Sequence, residues 1–275
     1  DLKQKKIELP AAVAPAGFDV YPTYIVNDQG LLGLRYVIDA SVTQWFDGAL
    51  KSVQDRVDRV LQTTVNELTP PRRPGLPYVL VKSYSDVQPP VYYLFNIDSS
   101  KFIKLGTTLP GLDPKSLGTT DFVRYKARDG LEIPAWLTLP PGDAKKGLPL
   151  VVLVHGGPWV RGSAWGFDRE VQFLASRGYA VLQPEFRGSR GYGEKLFRAG
   201  MKQWGQAMQD DVADALLWAR AQGLANDRAC IAGGSYGGYS ALMGLVRHPA
   251  LYRCGSAWVA VTDPFLYLEG SWWVR

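Results

Sequence analysis

Between Ile231 and Gly238 the chain reads Ile-Ala-Gly-Gly-Ser-Tyr-Gly-Gly, and this stretch restricts the fold more than any other. An apolar run, 229–232, stops in glycines. Residues 237–247 then read as a helix. Glycines crowded around one serine specify a turn so tight that side chains at Gly233 and Gly237 would collide with neighbouring backbone. A strand that turns this sharply into a helix is the junction of a parallel βα unit.

The rest of the second half agrees with that junction. Residues 148–154 form a continuous apolar run, as expected of a parallel strand buried on both faces. Residues 170–176 read as a helix that Gly178 ends, and 179–183 as a second buried strand. Trp204, Met208, Val212, Leu216 and Ala219 recur on one helical face, and 255–259 reads as a further strand. Runs at 122–126 and 131–139 flank Asp129-Gly130, a hairpin signal. The pattern predicts parallel strands around Val151, Val181, Ile231 and Trp258 in one sheet, with Ser235 at its carboxyl end.

The first half has another texture. Strand-like runs at 31–39, 78–83 and 91–96 are separated by turn residues. One helix interrupts them, capped by Asp47 and marked by Leu50, Val53, Val57, Val60 and Leu61. Residues 69–75 carry four of the turn-forming residues Pro and Gly and read as a loop. Units of roughly 40 residues would fit here two or three times, a blade-like spacing. The expected architecture is therefore α/β over 116–275, a parallel-rich sheet with helices on both faces, preceded over 1–115 by β-rich blades.

Composition narrows the function classes. The apolar fraction is 46% and the charged fraction 21%, ordinary for a globular protein. A net charge of +5 is spread over short clusters such as Lys5-Lys6, Arg72-Arg73 and Lys145-Lys146. It forms no stripe of the kind nucleic-acid binding needs. No stretch has the apolar length to span a bilayer. The two cysteines, Cys230 and Cys254, lack metal-site spacing and read as free buried thiols, with a disulfide between them as the alternative. No cofactor and no metal is expected. Oligomeric state and compartment stay open, and both chain ends read as cuts.

The residues around Ser235 carry chemistry. Gly-x-Ser-x-Gly between strand and helix makes Ser235 the candidate nucleophile. The helix amino terminus and the backbone N–H of Tyr236 then face the oxygen that becomes charged in acyl transfer. His155-Gly156-Gly157-Pro158 directly follows the 148–154 strand, where a second oxyanion donor belongs. His155 reads as an anchor of that turn and not as the general base. His248 follows Ser235 by a helix length, about 20 Å at 1.5 Å per residue, too far to accept its proton. The base and acid are expected beyond residue 275, because in this arrangement the order is Ser, acid, His. Asp263 is a weaker acid candidate and also reads as a loop cap before Pro264.

Four separated motifs resemble the prolyl oligopeptidase family of serine peptidases. They are His155-Gly156-Gly157-Pro158, the Phe-Leu-Ala-Ser-Arg-Gly-Tyr-Ala-Val stretch at 173–181, Phe-Arg-Gly-Ser-Arg-Gly-Tyr-Gly at 186–193, and Gly234-Ser235-Tyr236-Gly237-Gly238-Tyr239. The likeness spans about 118–270, and the earlier region is similar to the last blades of the family's β-propeller. It implies an acyl-enzyme on Ser235, an oxyanion hole from Tyr236 and the His155–Gly156–Gly157 turn, and short peptides as substrates. It also implies that Tyr236, Val261 and Tyr267 approach the pocket for the residue before the scissile bond. Several branches place a tyrosine where His155 stands, so the acylaminoacyl-peptidase-like branch fits better.

Two other classes compete. A carboxylester hydrolase would share the same two glycine motifs, and a non-enzymatic scaffold would keep the fold without the triad. The blade-like first half favours the peptidase. The 275 residues alone are expected to be inert, with apolar surface exposed near Trp258, Trp272 and Trp273.

Overall fold

The computed structural model describes residues 13, 15–73, 75–265 and 269. Tyr267, Trp272, Trp273 and the Lys5-Lys6 cluster lie outside the described residues. Three sheets follow one another along the chain.

The first is an antiparallel set of three: β1 (Thr23–Asn27), β2 (Gly30–Val37) and β3 (Ser41–Trp45). Helix α1 (Gly48–Val60) follows. Asp47 caps it by accepting the Leu50 N–H at 2.8 Å, satisfying one of the orphan donors of the first turn. Val53 and Val57 face inward while Val60 is exposed, so the buried stripe is narrower than the sequence pattern suggests. The second sheet is a four-stranded meander of β4 (Val65–Thr69), β5 (Tyr78–Tyr84), β6 (Val91–Asn96) and β7 (Phe102–Thr107). Leu32, Trp45, Val53, Val57, Leu68, Val79, Val81 and Phe95 join strands of both sheets and α1 in one core.

The third sheet has six strands. A hairpin of β8 (Thr119–Lys126) and β9 (Glu132–Leu139) forms one edge. Then come β10 (Leu148–Val154), helix α2 (Arg169–Ala175), β11 (Ala180–Pro184), α3 (Glu194–Ala199) and α4 (Ala207–Ala221). The chain continues through β12 (Ala225–Gly234), α5 (Tyr236–Arg247) and β13 (Cys254–Trp258). The spatial order is β13-β12-β10-β11-β9-β8. The four strands β13, β12, β10 and β11 are parallel neighbours, as the sequence pattern predicts. Leu150, Val152, Val154, Leu182 and Ile231 pack beneath α4 and α5 with Met208, Val212, Leu216 and Ala241. The α/β-hydrolase arrangement preceded by propeller-like blades is the architecture of the molecule.

The cysteines differ from the sequence reading. Cys230 and Cys254 are not free thiols. They face each other across the β12–β13 register with Cα atoms 4.8 Å apart and form a disulfide. Parallel neighbours at one register position bring Cα atoms into disulfide range, and no sequence spacing reveals that register. The exposed apolar edge near Trp258 is present: β13 is exposed along its length, and Val259 is 82% exposed.

The blades and the six-stranded layer are joined by polar contacts. Gln172 of α2 donates to the carbonyl oxygens of Asp86 and Gly118 at 2.9 and 2.7 Å. Trp165 N–H donates to Asp39 O at 2.8 Å. The Arg161 guanidinium reaches the carbonyls of Val37 and Ile38 and stacks over the Tyr192 ring at 4.5 Å.

Candidate active site

Ser235 is the one residue between β12 and α5, with φ 55° and ψ −119°. A serine held there carries strain on the order of 1–3 kcal/mol, which persists only where the surroundings impose it. Here they do. Ser235 N–H donates to Trp258 O at 3.1 Å, and Ser235 O accepts from Tyr239 N–H at 3.1 Å and Val261 N–H at 3.2 Å. The turn has room for glycine alone at its flanks. A Cβ on Gly233 would lie 2.5 Å from the Gly237 carbonyl carbon, and one on Gly237 would overlap the Val154 carbonyl oxygen. The strained geometry lifts the serine side chain off the carboxyl end of β12.

The His155–Gly156–Gly157 turn meets it there. A Cβ on Gly156 would stand 3.4 Å from Ser235 Cβ and 4.0 Å from its Oγ. The turn and the serine therefore share one space. Tyr236 is the first residue of α5, so its N–H has no acceptor within the helix and lies at the positive end of the helix dipole. A cavity of about 220 Å³ opens beside them, lined by His155, Gly156, Gly162, Asp168, Gly234 and Trp258 among others.

The His155 ring is largely, not fully, shielded from solvent and stacks on Phe186 at 4.4 Å. Nδ1 lies 2.7 Å from Gly156 O and Nε2 lies 2.9 Å from Ser189 Oγ. Burial pushes its pKa down to about 4, so the neutral ring donates from Nδ1 and accepts at Nε2. Glu185 Oε2 is 3.8 Å from Nε2, a proximity that is no ion pair while the imidazole is neutral. His248 closes the far end of α5, its N–H bonded to Gly244 O at 2.9 Å and its Nε2 3.7 Å from Asp210. Asp263 accepts the Phe265 N–H at 2.9 Å, as a loop cap does.

Of the expected pocket residues, Val261 touches Ser235 through its backbone, and Tyr267 lies outside the described residues. The Tyr236 side chain corrects the sequence reading. It is fully buried among Phe186, Trp204 and Tyr239 and offers no surface to a substrate in this conformation. At the first helical position the side chain folds back under the turn and packs against the core. Sequence reasoning missed Glu185 and Ser189. The available signal was an acid directly after the strand β11 and directly before Phe186. Among the described residues no three His, Cys, Asp or Glu side chains are grouped to hold a metal ion, and no helix is long and apolar enough to cross a membrane.

Comparisons with known proteins agree with this geometry. The prolyl oligopeptidase family model matches residues 165–274. Dipeptidyl aminopeptidase BIII of Pseudoxanthomonas mexicana is 41% identical over 184 residues, covering 64% of this chain and 27% of its own length. Dipeptidyl peptidase family member 6 of Caenorhabditis elegans is 36% identical over 198 residues, with the same coverage. The chain thus spans about a quarter of the length of these relatives. Among solved structures, a Mycobacterium tuberculosis puromycin-hydrolyzing peptidase superposes with a TM-score of 0.73 at 19% identity. That superposition covers 94% of this chain and 40% of the other. Over residues 165–274, which include the strained serine, this chain is similar to the prolyl oligopeptidase family.

Proposed function

We propose that this chain carries the nucleophile and the oxyanion hole of a serine peptidase that cleaves short peptides through an acyl-enzyme on Ser235. The contact between the Gly156 turn and Ser235 carries the reading. It brings the serine hydroxyl against the Gly156–Gly157 turn at the amino terminus of α5, and in this reading the N–H groups of Tyr236 and Gly157 are the two donors that acyl transfer requires. In the first step Ser235 Oγ bonds to the scissile carbonyl carbon and a base takes its proton. The carbonyl oxygen gathers negative charge between the two N–H groups. Collapse then expels the amine of the departing fragment, which takes up the proton, and water releases the acyl group by the same route.

The base is not one of the two histidines. His155 has both ring nitrogens engaged, and His248 sits at the opposite end of α5. The base and acid come from the part of the full-length protein outside these residues. The dipeptidyl peptidases among the relatives make removal of amino-terminal dipeptides the first activity to test. In this reading residues 1–115 are the end of a propeller that limits entry and 116–275 the beginning of the catalytic domain. Val261 borders the pocket for the residue before the cleaved bond.

The experiment is a side-by-side assay of the full-length protein and its Ser235→Ala variant with a fluorophosphonate, dipeptide anilides and a nitrophenyl ester. Labelling of Ser235 and turnover of the anilides, both lost in the variant, is the expected result. Ester turnover without anilide turnover would make the protein a carboxylester hydrolase. The 275 residues alone should show at most a residual acceleration, about a thousandfold over water, from binding and the oxyanion hole. Full turnover by these residues alone would refute the assignment of the histidines.

A further inference from the structure

Directly behind the glycine turn lies a buried carboxyl group that the proposed chemistry does not use. Glu185 follows the last residue of β11 and is 1% exposed. Its two oxygens accept two consecutive backbone N–H groups, Gly162 at 2.9 Å on Oε2 and Ser163 at 2.6 Å on Oε1. That grip presses the 162–163 segment onto the His155 ring, since even a Cβ at Gly162 would overlap imidazole carbon atoms. The ring is therefore clamped between Gly162 on one side and Phe186 on the other. Ser189, fully buried, stands between the carboxyl group and the ring and bonds to both.

The pattern of donors has a single consistent order. His155 Nδ1–H donates to Gly156 O, so Nε2 must accept, and Ser189 O–H is its donor. Burial pushes the Glu185 pKa up to about 7, against the pull of the two N–H donors, Arg161 and the Ser189 hydroxyl. At the other end of this relay, the carbonyl of Gly156 is held toward the imidazole. In a planar trans peptide the N–H of the following residue points the opposite way. The Gly157 N–H is thereby turned away from the ring, on the side where Gly156 meets Ser235.

We propose that Glu185 is a positioning residue for the oxyanion hole, fixing the Gly156–Gly157 peptide through the 162–163 backbone and the Ser189–His155 pair. It touches no reacting atom. This inference rests on Ser235 being the nucleophile.

The test uses the full-length protein with Glu185→Gln and Ser189→Ala. Glutamine keeps the volume but has one acceptor oxygen for two N–H groups. Ser189→Ala cuts the relay and leaves both backbone bonds in place. The readouts are the rate of Ser235 labelling by a fluorophosphonate, whose phosphoryl oxygen occupies the oxyanion hole, and the separate kcat and KM for an anilide. Displacing an oxyanion donor by a fraction of an ångström should slow kcat and labelling about 10- to 100-fold. KM should stay within about threefold, since ground-state binding is not involved. A stability defect alone would lower the amount of folded enzyme and leave the labelling rate per folded molecule unchanged. Wild-type labelling rates in folded Glu185→Gln and Ser189→Ala would overturn the proposal. If Glu185→Gln does not fold, the rate in Ser189→Ala decides alone. Failure of the wild-type protein to label at Ser235 would overturn the nucleophile assignment and this inference with it.

Discussion

The two faces of the six-stranded sheet are lined by the same strands, residue by alternate residue, and yet they are packed to different depths. On one face Leu150, Val152, Val154, Leu182 and Ile231 lie under α4 and α5 in a core of buried side chains. On the other, Leu153 and Val181 are covered by α2, with Val171 and Leu174. Beyond α2 the second face opens into a groove of about 710 Å³ bordered by Leu153, Phe173, Ala232, Cys254 and Trp258 among others. Period-two alternation sorts residues between faces, but it does not say what covers each face. The energetic content of each face is set by the helices laid over it.

The contrast is sharpest at glycines. Gly237 belongs to the covered face, where its Cβ would meet the carbonyls of Val154 and His155, which are backbone and cannot yield. Gly234 borders the open face, where a Cβ would press on the Trp258 indole, a ring 40% exposed and free to swing. Gly237→Ala should cost more than about 4 kcal/mol, or prevent folding, as overpacking against rigid neighbours does at its extreme. Gly234→Ala should cost less than about half of that. Urea unfolding of both variants measures the difference, and equal losses would mean that the open face is as rigid as the covered one.

A paired truncation sharpens the same point. Leu150 is fully buried under the helices, and Leu153 is 7% exposed at the groove. Leu150→Ala should destabilise by about 3–4 kcal/mol, transfer and cavity terms together. Leu153→Ala should cost below about 2 kcal/mol, because its space is continuous with solvent and no sealed cavity forms. Larger loss from Leu153 would show that the full-length protein closes the groove.

How much of this was legible beforehand depends on the range of the interactions involved. The Ser235 turn was readable because its glycines are gathered within five residues of sequence, although the carbonyl that Gly237 must clear belongs to the distant Val154. The parallel strands were readable from unbroken apolar runs. The disulfide was not, since it depends on Cys230 and Cys254 falling at one register position 24 residues apart. The burial of Tyr236 and the grip of Glu185 on the 162–163 backbone depend on tertiary neighbours from distant segments. Helix α3 escaped notice because six residues are too few to display a helical period.

The disulfide provides the next comparison. It lies on the open face and joins the exposed strand β13 to β12. Reduction, or Cys254→Ser, should cost about 2–3 kcal/mol, the usual value for closing a loop of this length. The loss should be local. Amide exchange should rise along 254–258 and stay unchanged along β10, measured by hydrogen–deuterium exchange with and without reductant. Uniform acceleration across the sheet would erase the distinction between edge and centre.

The smallest expected effect is on pH dependence. Burial raises Glu185 from its ordinary 4.5 to about 7 and lowers His155 from 6.5 to about 4. Between about pH 4.5 and 6.5 the folded protein holds a proton on Glu185 and none on His155, and the unfolded chain does the reverse. Raising the pH through this window removes stability through Glu185 and adds it through His155, so the two contributions cancel. Glu185→Gln leaves His155 alone. Its stability should therefore climb with pH relative to the wild type by up to about 1.4 kcal/mol per unit in this window. Urea midpoints at pH 4.5, 5.5 and 6.5 check it, and parallel curves for the two proteins would rule it out.

The cross-link also has a mechanical meaning. Cys254 is the first residue of β13, and the pairing runs from it to Trp258. A pull on the chain after Val259 would unzip the ladder from Trp258 backward, one residue at a time, and would stop at the sulfur–sulfur bond. The load would then pass into β12 at Cys230, between Ala229 and Ile231, which are fully buried. The tether thus works as a rip-stop. A tear that starts at the exposed edge first costs Ser235 its bonds to Val261 and Trp258 and ends four residues later, at the cross-link.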